Sequence, residues 1–245
     1  MLLLIVIFIF IVIFLNPYLS YETLKNSEER IFSQNGEDGI ILKLTDFILK
    51  SKPGFYVEFG VESGKECNTR ILREKKGWKG LLLDGSNEDS SINLNKEFIT
   101  KENITDLFKK YKVPSHINLL SVDIDYNDFY VLHEILKKYT CDIIICEYNA
   151  THLPSEDKIV KYESTTMWDG TNYFGVSLLS LQRLCKKYGY KLVYCDTKGV
   201  NAFFVKDCYN VESKDIETIY RPAGYGGHKP DELQREYVSS INILK

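Results

Sequence analysis

The sequence has no excess of positive charge. Its 31 Lys and Arg residues face 34 Asp and Glu residues, which gives a formal net charge of −3 at pH 7. A protein that binds nucleic acid needs a basic field that neutralises phosphates. The composition therefore argues against nucleic acid as a partner, while 44% hydrophobic and 27% charged residues indicate a globular chain.

The cysteines lack the C-x-x-C spacing that is typical of zinc sites. The six are Cys67, Cys141, Cys146, Cys185, Cys195 and Cys208. Several fall in or beside apolar runs that predict core strands, where buried free thiols are usual. We expect free thiols, with disulfides as the alternative if the domain lies in a secretory lumen.

The glycine turn after the predicted strand Phe55–Phe59 lacks the middle glycine of a dinucleotide fingerprint. Its spacing is Gly60-x-x-x-Gly64, and the acidic Glu58 and Glu62 would repel a pyrophosphate. The same carboxylates suit a cationic ligand. S-adenosylmethionine, which carries a sulfonium and an amino-acid end, is such a ligand.

A second acidic residue follows the next predicted strand, Gly80–Leu83. Asp84 lies 24 positions beyond Gly60. An acid at this strand end can accept hydrogen bonds from ribose hydroxyls. We favour that interpretation over a plain turn Asp before Gly85.

Apolar runs separated by helical patterns predict an α/β domain with a Rossmann-like, mostly parallel seven-stranded sheet and an antiparallel final strand. Residues 150–173 show no periodicity, which is typical of a functional or mobile insertion. The predicted strands cover 55–59, 80–83, 96–100, 117–124, 142–146, 190–195 and 200–206, and the predicted helices cover 40–48, 65–76, 104–111, 129–139 and 175–188.

The chain begins with an apolar run, Met1–Leu15, that contains no charged side chain. A helix of this length spans roughly 22 Å, and residues up to 19 bring it nearer to the ~30 Å of a hydrocarbon core. We expect an uncleaved signal anchor at 1–19, with a cleaved signal peptide as the alternative. A stem (20–30), a catalytic-type domain (31–208) and a polar C-terminal extension (209–245) follow. The predicted location is a membrane with a single span, with the secretory pathway as the route.

Polar side chains follow the predicted fourth and fifth strands. Asp123 lies at the carboxyl end of one strand, Asp125 and Asp128 follow that strand, and Glu147 and Asn149 follow the other. Ligands bind at the carboxyl edge of open α/β sheets. Such residues suit a hard cation such as Mg²⁺, or they cap the next helix.

Several ordered motifs in residues 33–206 resemble the FkbM-like S-adenosylmethionine-dependent methyltransferases. They are Ser33-Gln34 with Glu37-Asp38-Gly39, Phe55-Tyr-Val-Glu-Phe-Gly60, Trp78-Lys-Gly-Leu-Leu-Leu-Asp84, Ser121-Val-Asp-Ile-Asp125 with Asn127-Asp128, and Glu147-Tyr-Asn149. The resemblance implies a Rossmann-like methyltransferase fold, S-adenosylmethionine as cofactor, and O-methylation of a hydroxyl on a sugar or other small or glycan acceptor. Tyr126 stands where family members often have Gly.

This resemblance and the strand-end positions yield a predicted site. The predicted catalytic residues are Asp125, Glu147, Asn149 and His152, and the predicted cofactor-binding residues are Gln34, Glu58, Gly60, Gly64, Asp84 and Asp123. We favour a metal-free site, because the Asp-Asn pair that metal-dependent O-methyltransferases carry at the fifth strand is replaced here by Glu147, Tyr148 and Asn149. A Mg²⁺ site is the alternative. His152 is the candidate general base, with an ordinary surface-loop histidine as the alternative.

Two other functions stay open on the sequence. One is a catalytically inactive binding or scaffold protein of the same fold at a membrane. The other is a nicotinamide-dependent oxidoreductase, which the glycine spacing and Glu62 disfavour.

Overall fold

The computed structural model describes residues 17–245. The predicted anchor at 1–19 therefore lies almost wholly outside the described residues. Within residues 17–245, no helix is both long and apolar enough to cross a bilayer.

The centre of the structure is one seven-stranded sheet, and it confirms the predicted fold class. The strands are β1 (Phe55–Phe59), β2 (Lys79–Asp84), β3 (Leu94–Lys96), β4 (His116–Val122), β5 (Thr140–Glu147), β6 (Tyr190–Cys195) and β7 (Asn201–Lys206). Their order is β3-β2-β1-β4-β5-β7-β6, and β7 runs antiparallel to both of its neighbours. The chain turns outward in opposite directions from β1 and β4. A crevice therefore opens at the carboxyl ends of this pair, where ligands of α/β sheets bind.

Helices cover the sheet, which explains why its strands read as apolar runs. They are α1 (Tyr21–Lys25), α2 (Glu37–Leu49), α3 (Arg70–Lys76), α4 (Ile104–Lys110), α5 (Asp128–Leu136), α6 (Leu178–Lys187), α7 (Ile216–Ile219) and α8 (Ser240–Ile243), with a 3₁₀ turn at Ser90–Ile92. Helix α6 begins where the Ser177 side chain accepts a hydrogen bond from the Ser180 N–H, and it buries Leu178, Leu181 and Leu184.

Two predicted boundaries are wrong. The third strand was predicted at 96–100, but β3 ends at Lys96 because the buried Leu94 is the residue that pairs with Leu82 of β2. The helix predicted from residue 65 begins only at Arg70. The residues before it form turns, since a buried carboxylate from β1 holds the backbone there.

The segment predicted as a stem, residues 20–30, is partly helical and packs on the domain. Helix α1 lies in it and buries Tyr21 and Leu24 against the domain. The Leu19 N–H donates to the Asn210 carbonyl at 3.0 Å. Burial of apolar side chains makes this segment part of the folded domain.

The polar C-terminal extension, residues 209–245, also packs on the domain. Val211 and Ile219 are buried in the main core, and the Ser240 N–H donates to the Asp157 carboxylate at 2.9 Å. The extension therefore reaches the insertion between β5 and α6, a contact that matters for the site.

The cysteines carry free thiols. Five are buried and Cys208 is exposed, and no disulfide forms among the described residues. Burial raises the pKa of the Cys146 and Cys185 thiols well above the usual range. Buried neutral thiols are unreactive, so these two are core residues.

A buried carboxylate fixes the chain before α2. Asp38 is fully buried, and its Oδ2 accepts from the backbone N–H groups of Ile31, Phe32 and Ser33 at 2.7–2.8 Å. The Ser33 hydroxyl donates to the same oxygen at 2.8 Å. These four hydrogen bonds position the following Gln34 at the carboxyl edge of the sheet.

We expect Asp38→Asn to lower the free energy of unfolding by about 1.5–3 kcal/mol, because each donor loses a charged acceptor inside the protein. The control is Asp46→Asn on the same helix. Asp46 forms a part-exposed ion pair with Lys76, and its loss should cost about 0.2–1 kcal/mol. Urea unfolding followed by circular dichroism measures both, and equal losses would contradict the structural role of Asp38.

Candidate functional site

Gly60 lies at the joint of two cavities at the sheet's carboxyl edge. One has a volume of about 210 Å³ and the other about 40 Å³, and Gly60 lines both. Its φ is +67°, and a Cβ at this position would lie 1.7 Å from the Asp123 carbonyl oxygen. Only glycine permits this approach between the turns after β1 and β4.

The larger cavity has an acidic end and apolar walls. Asp84 lies at the end of β2, and the loop after β3 contributes Phe98 and Ile99 while the turn after β4 contributes Ile124 and Tyr126. An acid beside flat apolar walls suits a nucleoside, whose ribose is polar and whose base is flat.

The Asp84 carboxylate also accepts hydrogen bonds from the backbone of two neighbouring turns. Its Oδ1 accepts from the N–H groups of Ser86 and Asn87 at 2.8 and 2.9 Å, and its Oδ2 accepts from the Glu62 N–H at 2.9 Å. Each carboxylate oxygen has two acceptor sites. Oδ2 therefore keeps one site for a ligand hydroxyl.

The smaller cavity is polar. Gln34, Asn68, Asp123 and Asn201 line it together with Glu37. Glu37, which accepts from the Asn201 amide at 2.9 Å, is buried. Amides and carboxylates close to each other suit the ammonium and carboxylate groups of an amino-acid moiety.

Glu58 lines the smaller cavity, but hydrogen bonds from Asn68 and Thr69 occupy its carboxylate. Its Oε1 accepts from the Asn68 N–H at 2.8 Å, and its Oε2 accepts from the Thr69 N–H and hydroxyl at 2.8 and 2.5 Å. These bonds anchor the backbone just before α3. Burial raises the pKa of Glu58 although the hydrogen bonds oppose that rise.

Gly64 lies outside both cavities. Its φ is +69°, and a Cβ there would lie 2.6 Å from the Cδ1 atom of Ile92. The residue closes the turn and permits packing against the 3₁₀ segment. Gly64 therefore shapes the turn without lining either cavity, although it belongs with Gly60 to the predicted glycine motif.

Three carboxylates meet at the ends of β4 and β5. Oxygens of Asp123, Asp125 and Glu147 all lie within 4.8 Å of one another. Among the described residues, no hydrogen bond stabilises the charged form of the Asp125 carboxylate or of the Glu147 carboxylate. The structure thus brings together three predicted site residues whose negative charge the described residues leave uncompensated.

Burial and mutual repulsion raise the pKa values in this cluster. Burial is the largest cause for Asp123 and Glu147, followed for each by neighbouring carboxylates. Burial also raises the pKa of Asp128 to about 7. Asp128 Oδ1 accepts from the Ile124 N–H at 2.8 Å, while its Oδ2 has no partner. The site gains free energy from any cation or proton that enters it.

Asp125 is the exposed member of the cluster, and its backbone is strained. Its φ is +65°, in the left-handed region that side chains other than Gly rarely adopt. The next residue, Tyr126, stands where the resembled family often has Gly, and it is buried against Tyr173 with ring centroids 6.2 Å apart. Strain of this kind persists where the surroundings enforce it, and it concentrates at functional sites.

Asn149 and His152 lie outside both cavities. The Asn149 amide donates to the Asn172 and Phe174 carbonyls at 2.9 Å and ties down the insertion. His152 is buried, its Nε2 has no partner, and its ring meets Tyr237 edge-on at 4.8 Å. Burial lowers the pKa of His152 to about 4. Their catalytic roles stay predictions.

Sequence reasoning missed two contributions to the site. The insertion supplies Met167 and Trp168 to the wall of the larger cavity. The C-terminal extension supplies His228, whose ring lies 4.5 Å from that of Trp168. The irregularity of the insertion and its single Trp were the available signals, whereas nothing in the sequence places His228 here.

The acidic cluster can accept protons, a divalent cation or an organic cation. Two buried carboxylate oxygens, Asp128 Oδ2 and Glu147 Oε2, have no partner among the described residues. Carboxylate oxygens are the ligands that Mg²⁺ prefers, so the residues fit that ion as well as a sulfonium. The expectation of a metal-free site stays a prediction.

Comparisons with known proteins find likenesses in structure alone. No family model matches the chain, and no curated protein matches it in sequence. Solved structures that match include the MycE methyltransferase from the mycinamycin biosynthetic pathway in complex with Mg, SAH and mycinamycin VI, with 12% identity, a TM-score of 0.43, and coverage of 68% of this chain and 48% of that one.

Two further matches are an O-methyltransferase family protein from Burkholderia thailandensis, with 7% identity, a TM-score of 0.41 and coverage of 76% and 56%, and the CurJ carbon methyltransferase, with 8% identity, a TM-score of 0.35 and coverage of 69% and 52%. The chain spans about half the length of these structures. At such identities and scores the likeness does not extend to chemistry.

We expect Gly60→Ala to destabilise the protein more than Gly170→Ala. Both glycines have positive φ, but a Cβ at Gly170 meets nothing within 4 Å. The backbone strain common to both should cost about 1–2 kcal/mol, and displacement of the Asp123 carbonyl should add about 1–3 kcal/mol for Gly60. Urea unfolding measures the difference. Equal losses would mean that the two turns separate freely.

Proposed function

We propose that this protein is an S-adenosylmethionine-dependent methyltransferase. The observation that carries the proposal is the uncompensated carboxylate cluster of Asp123, Asp125 and Glu147 between a nucleoside-like cavity and a polar cavity. S-adenosylmethionine has a positive sulfonium between an adenosine and an amino acid. The order of these three groups matches the order of the larger cavity, the acidic cluster and the polar cavity along the crevice.

In this proposal the cofactor lies across Gly60 and occupies both cavities. Its adenosine occupies the larger cavity with a ribose hydroxyl on Asp84 Oδ2, and its amino-acid end lies beside Gln34 and Asp123. The sulfonium and its methyl group then fall near Asp125. The negative field of the cluster stabilises a cation there.

The acceptor in this proposal is a hydroxyl of a sugar or of another small or glycan molecule. The motifs shared with FkbM-like methyltransferases support that class. Transfer requires the hydroxyl oxygen in line with the methyl carbon and the sulfur, and orientation supplies much of the acceleration. The insertion contributes Thr166, Met167 and Trp168 to the cavity wall, which limits the access of water to the methyl group.

A catalytically inactive scaffold of the same fold is the second candidate. The strained backbone of Asp125 and the unpaired carboxylates argue against it, since both cost stability. A scaffold gains nothing from that cost, whereas a site for a cationic ligand does.

The first test is calorimetric binding of S-adenosylmethionine, S-adenosylhomocysteine and NAD. We expect both adenosyl compounds to bind and NAD to fail. Asp84→Asn should weaken both by roughly tenfold or more, because both carry the ribose. Asp125→Asn should weaken S-adenosylmethionine more than S-adenosylhomocysteine, because only the former carries a sulfonium charge.

The control for this experiment is Asp46→Asn, an equal change of charge far from the crevice. Normal binding of both ligands by folded Asp84→Asn and Asp125→Asn would contradict the proposed cofactor position. A chelator should leave both affinities unchanged if the cluster works without a metal. If Mg²⁺ addition after chelation restores lost methyl transfer, the metal-free expectation fails.

We also propose that the apolar run Met1–Leu15 tethers the protein to a membrane as a single-pass signal anchor, with the domain in or beyond the secretory pathway. The proposal rests on the length and apolarity of that run. The polar sites described above would then act on acceptors near that surface.

Carbonate extraction of membranes that contain the full chain tests the tether. We expect the protein to stay in the pellet, and a chain that starts at residue 17 to move to the supernatant while still binding cofactor. Release of the full chain with an intact N-terminus would exclude an inserted anchor. Release with the run missing would show a cleaved signal peptide.

A further inference from the structure

His228 belongs to the C-terminal extension, beyond the part of the chain that resembles a methyltransferase. Its ring is surrounded by three aromatic side chains. The ring centroids lie 4.5 Å from Trp168, 5.1 Å from Phe174 and 5.1 Å from Tyr225. Trp168 lines the larger cavity, so His228 packs against a residue of its wall.

Backbone hydrogen bonds fix the segment that carries this ring. The Asn172 N–H donates to the Lys229 carbonyl at 2.8 Å, and the Asp231 N–H donates to the Asn172 side chain at 2.9 Å. The insertion and the extension are therefore joined directly beside His228. A side chain held between rings and by such bonds has a defined orientation, which catalytic groups require.

The imidazole nitrogens of His228 are free and reachable. Neither is hydrogen-bonded to a described residue, and neither is among the buried atoms without a partner. His152 is the opposite case, because its Nε2 is sealed from solvent without a partner. Of these two histidines, His228 is the one that can meet an incoming hydroxyl.

The charged group that acts on His228 is Asp125. Burial lowers the pKa of His228, and Asp125 opposes that shift. Tyr225, the other titratable group against the ring, has a pKa raised to about 12 by burial and stays neutral. The ring is thus neutral at pH 7, and the Asp125 carboxylate stabilises the imidazolium once a proton arrives.

We propose that His228 is the general base of the methyl transfer and that it contacts the acceptor hydroxyl. This inference rests on the proposed function. The hydroxyl oxygen attacks the methyl carbon, the C–O bond forms, and the C–S bond breaks with its electron pair left on sulfur. S-adenosylhomocysteine leaves, and the hydroxyl proton passes to the free nitrogen of His228.

The first measurement needs no acceptor. Diethyl pyrocarbonate acylates neutral, accessible imidazoles, and mass spectrometry of the full chain locates the modified histidines. We expect His228 to react at least about tenfold faster than His152 at pH 7, since a sealed nitrogen reacts only after local opening. In Asp125→Asn the midpoint of the pH–rate curve of His228 should move to lower pH, because a negative neighbour is lost.

The second measurement is transfer of labelled methyl from S-adenosylmethionine to a panel of methyl glycosides. We expect His228→Gln to lower kcat by roughly 10²–10⁴-fold, as loss of a general base does, with cofactor affinity unchanged by calorimetry. It should also remove the fall in rate of the unmodified protein at acidic pH. His116→Gln is the matched control and should keep its turnover, because His116 lies at the start of β4, at the opposite edge of the sheet.

The outcomes separate the two proposals. Failure of the unmodified protein to bind S-adenosylmethionine contradicts the proposed function. Binding and transfer with normal turnover in His228→Gln overturn the role of His228 alone. If no glycoside accepts the methyl group, the reaction with diethyl pyrocarbonate tests the inference. An unreactive His228 overturns it. A reactive His228 that S-adenosylmethionine protects from the reagent supports it.

Discussion

The close approach of Gly60 to the Asp123 carbonyl is the constraint on which the site depends. A single methyl group at Gly60 would meet that oxygen at 1.7 Å, so the turns after β1 and β4 can touch only through glycine. Their contact makes one crevice from two cavities. It also brings the end of β4, with its acidic residues, between the cavity lined by Asp84 and the cavity lined by Gln34.

Electrostatics gives that crevice its selectivity. The carboxylates at the ends of β1 and β2, Glu58 and Asp84, accept hydrogen bonds from backbone N–H groups. The carboxylates after β4 and β5 are different, because burial and repulsion raise the pKa of Glu147 while no described donor offsets its charge. The electrostatics of such a site favour a cationic ligand, which is the physical basis of the proposed cofactor.

The insertion and the C-terminal extension complete the site from outside the sheet. They are joined by the bond between Asn172 and Lys229, and they enclose His228 in aromatic rings beside the larger cavity. Asn149 and His152, which the sequence pattern made candidates, contact these covering segments, and their catalytic roles stay predictions. In the proposed function, the sheet supplies the side of the site that holds the cofactor, and the two covering segments supply its other wall.

The sequence by itself determined the sheet, the glycine turn and the acidic strand ends, because strand periodicity, glycine spacing and charge are local properties of the chain. It therefore predicted Gly60, Asp84 and the carboxylates whose oxygens lie within 4.8 Å of one another. Only the tertiary structure decided which acids are free, since Glu58 is consumed by N–H groups ten and eleven residues away. It alone brought His228 to Trp168, because packing across 60 positions leaves no periodic or compositional trace in the chain.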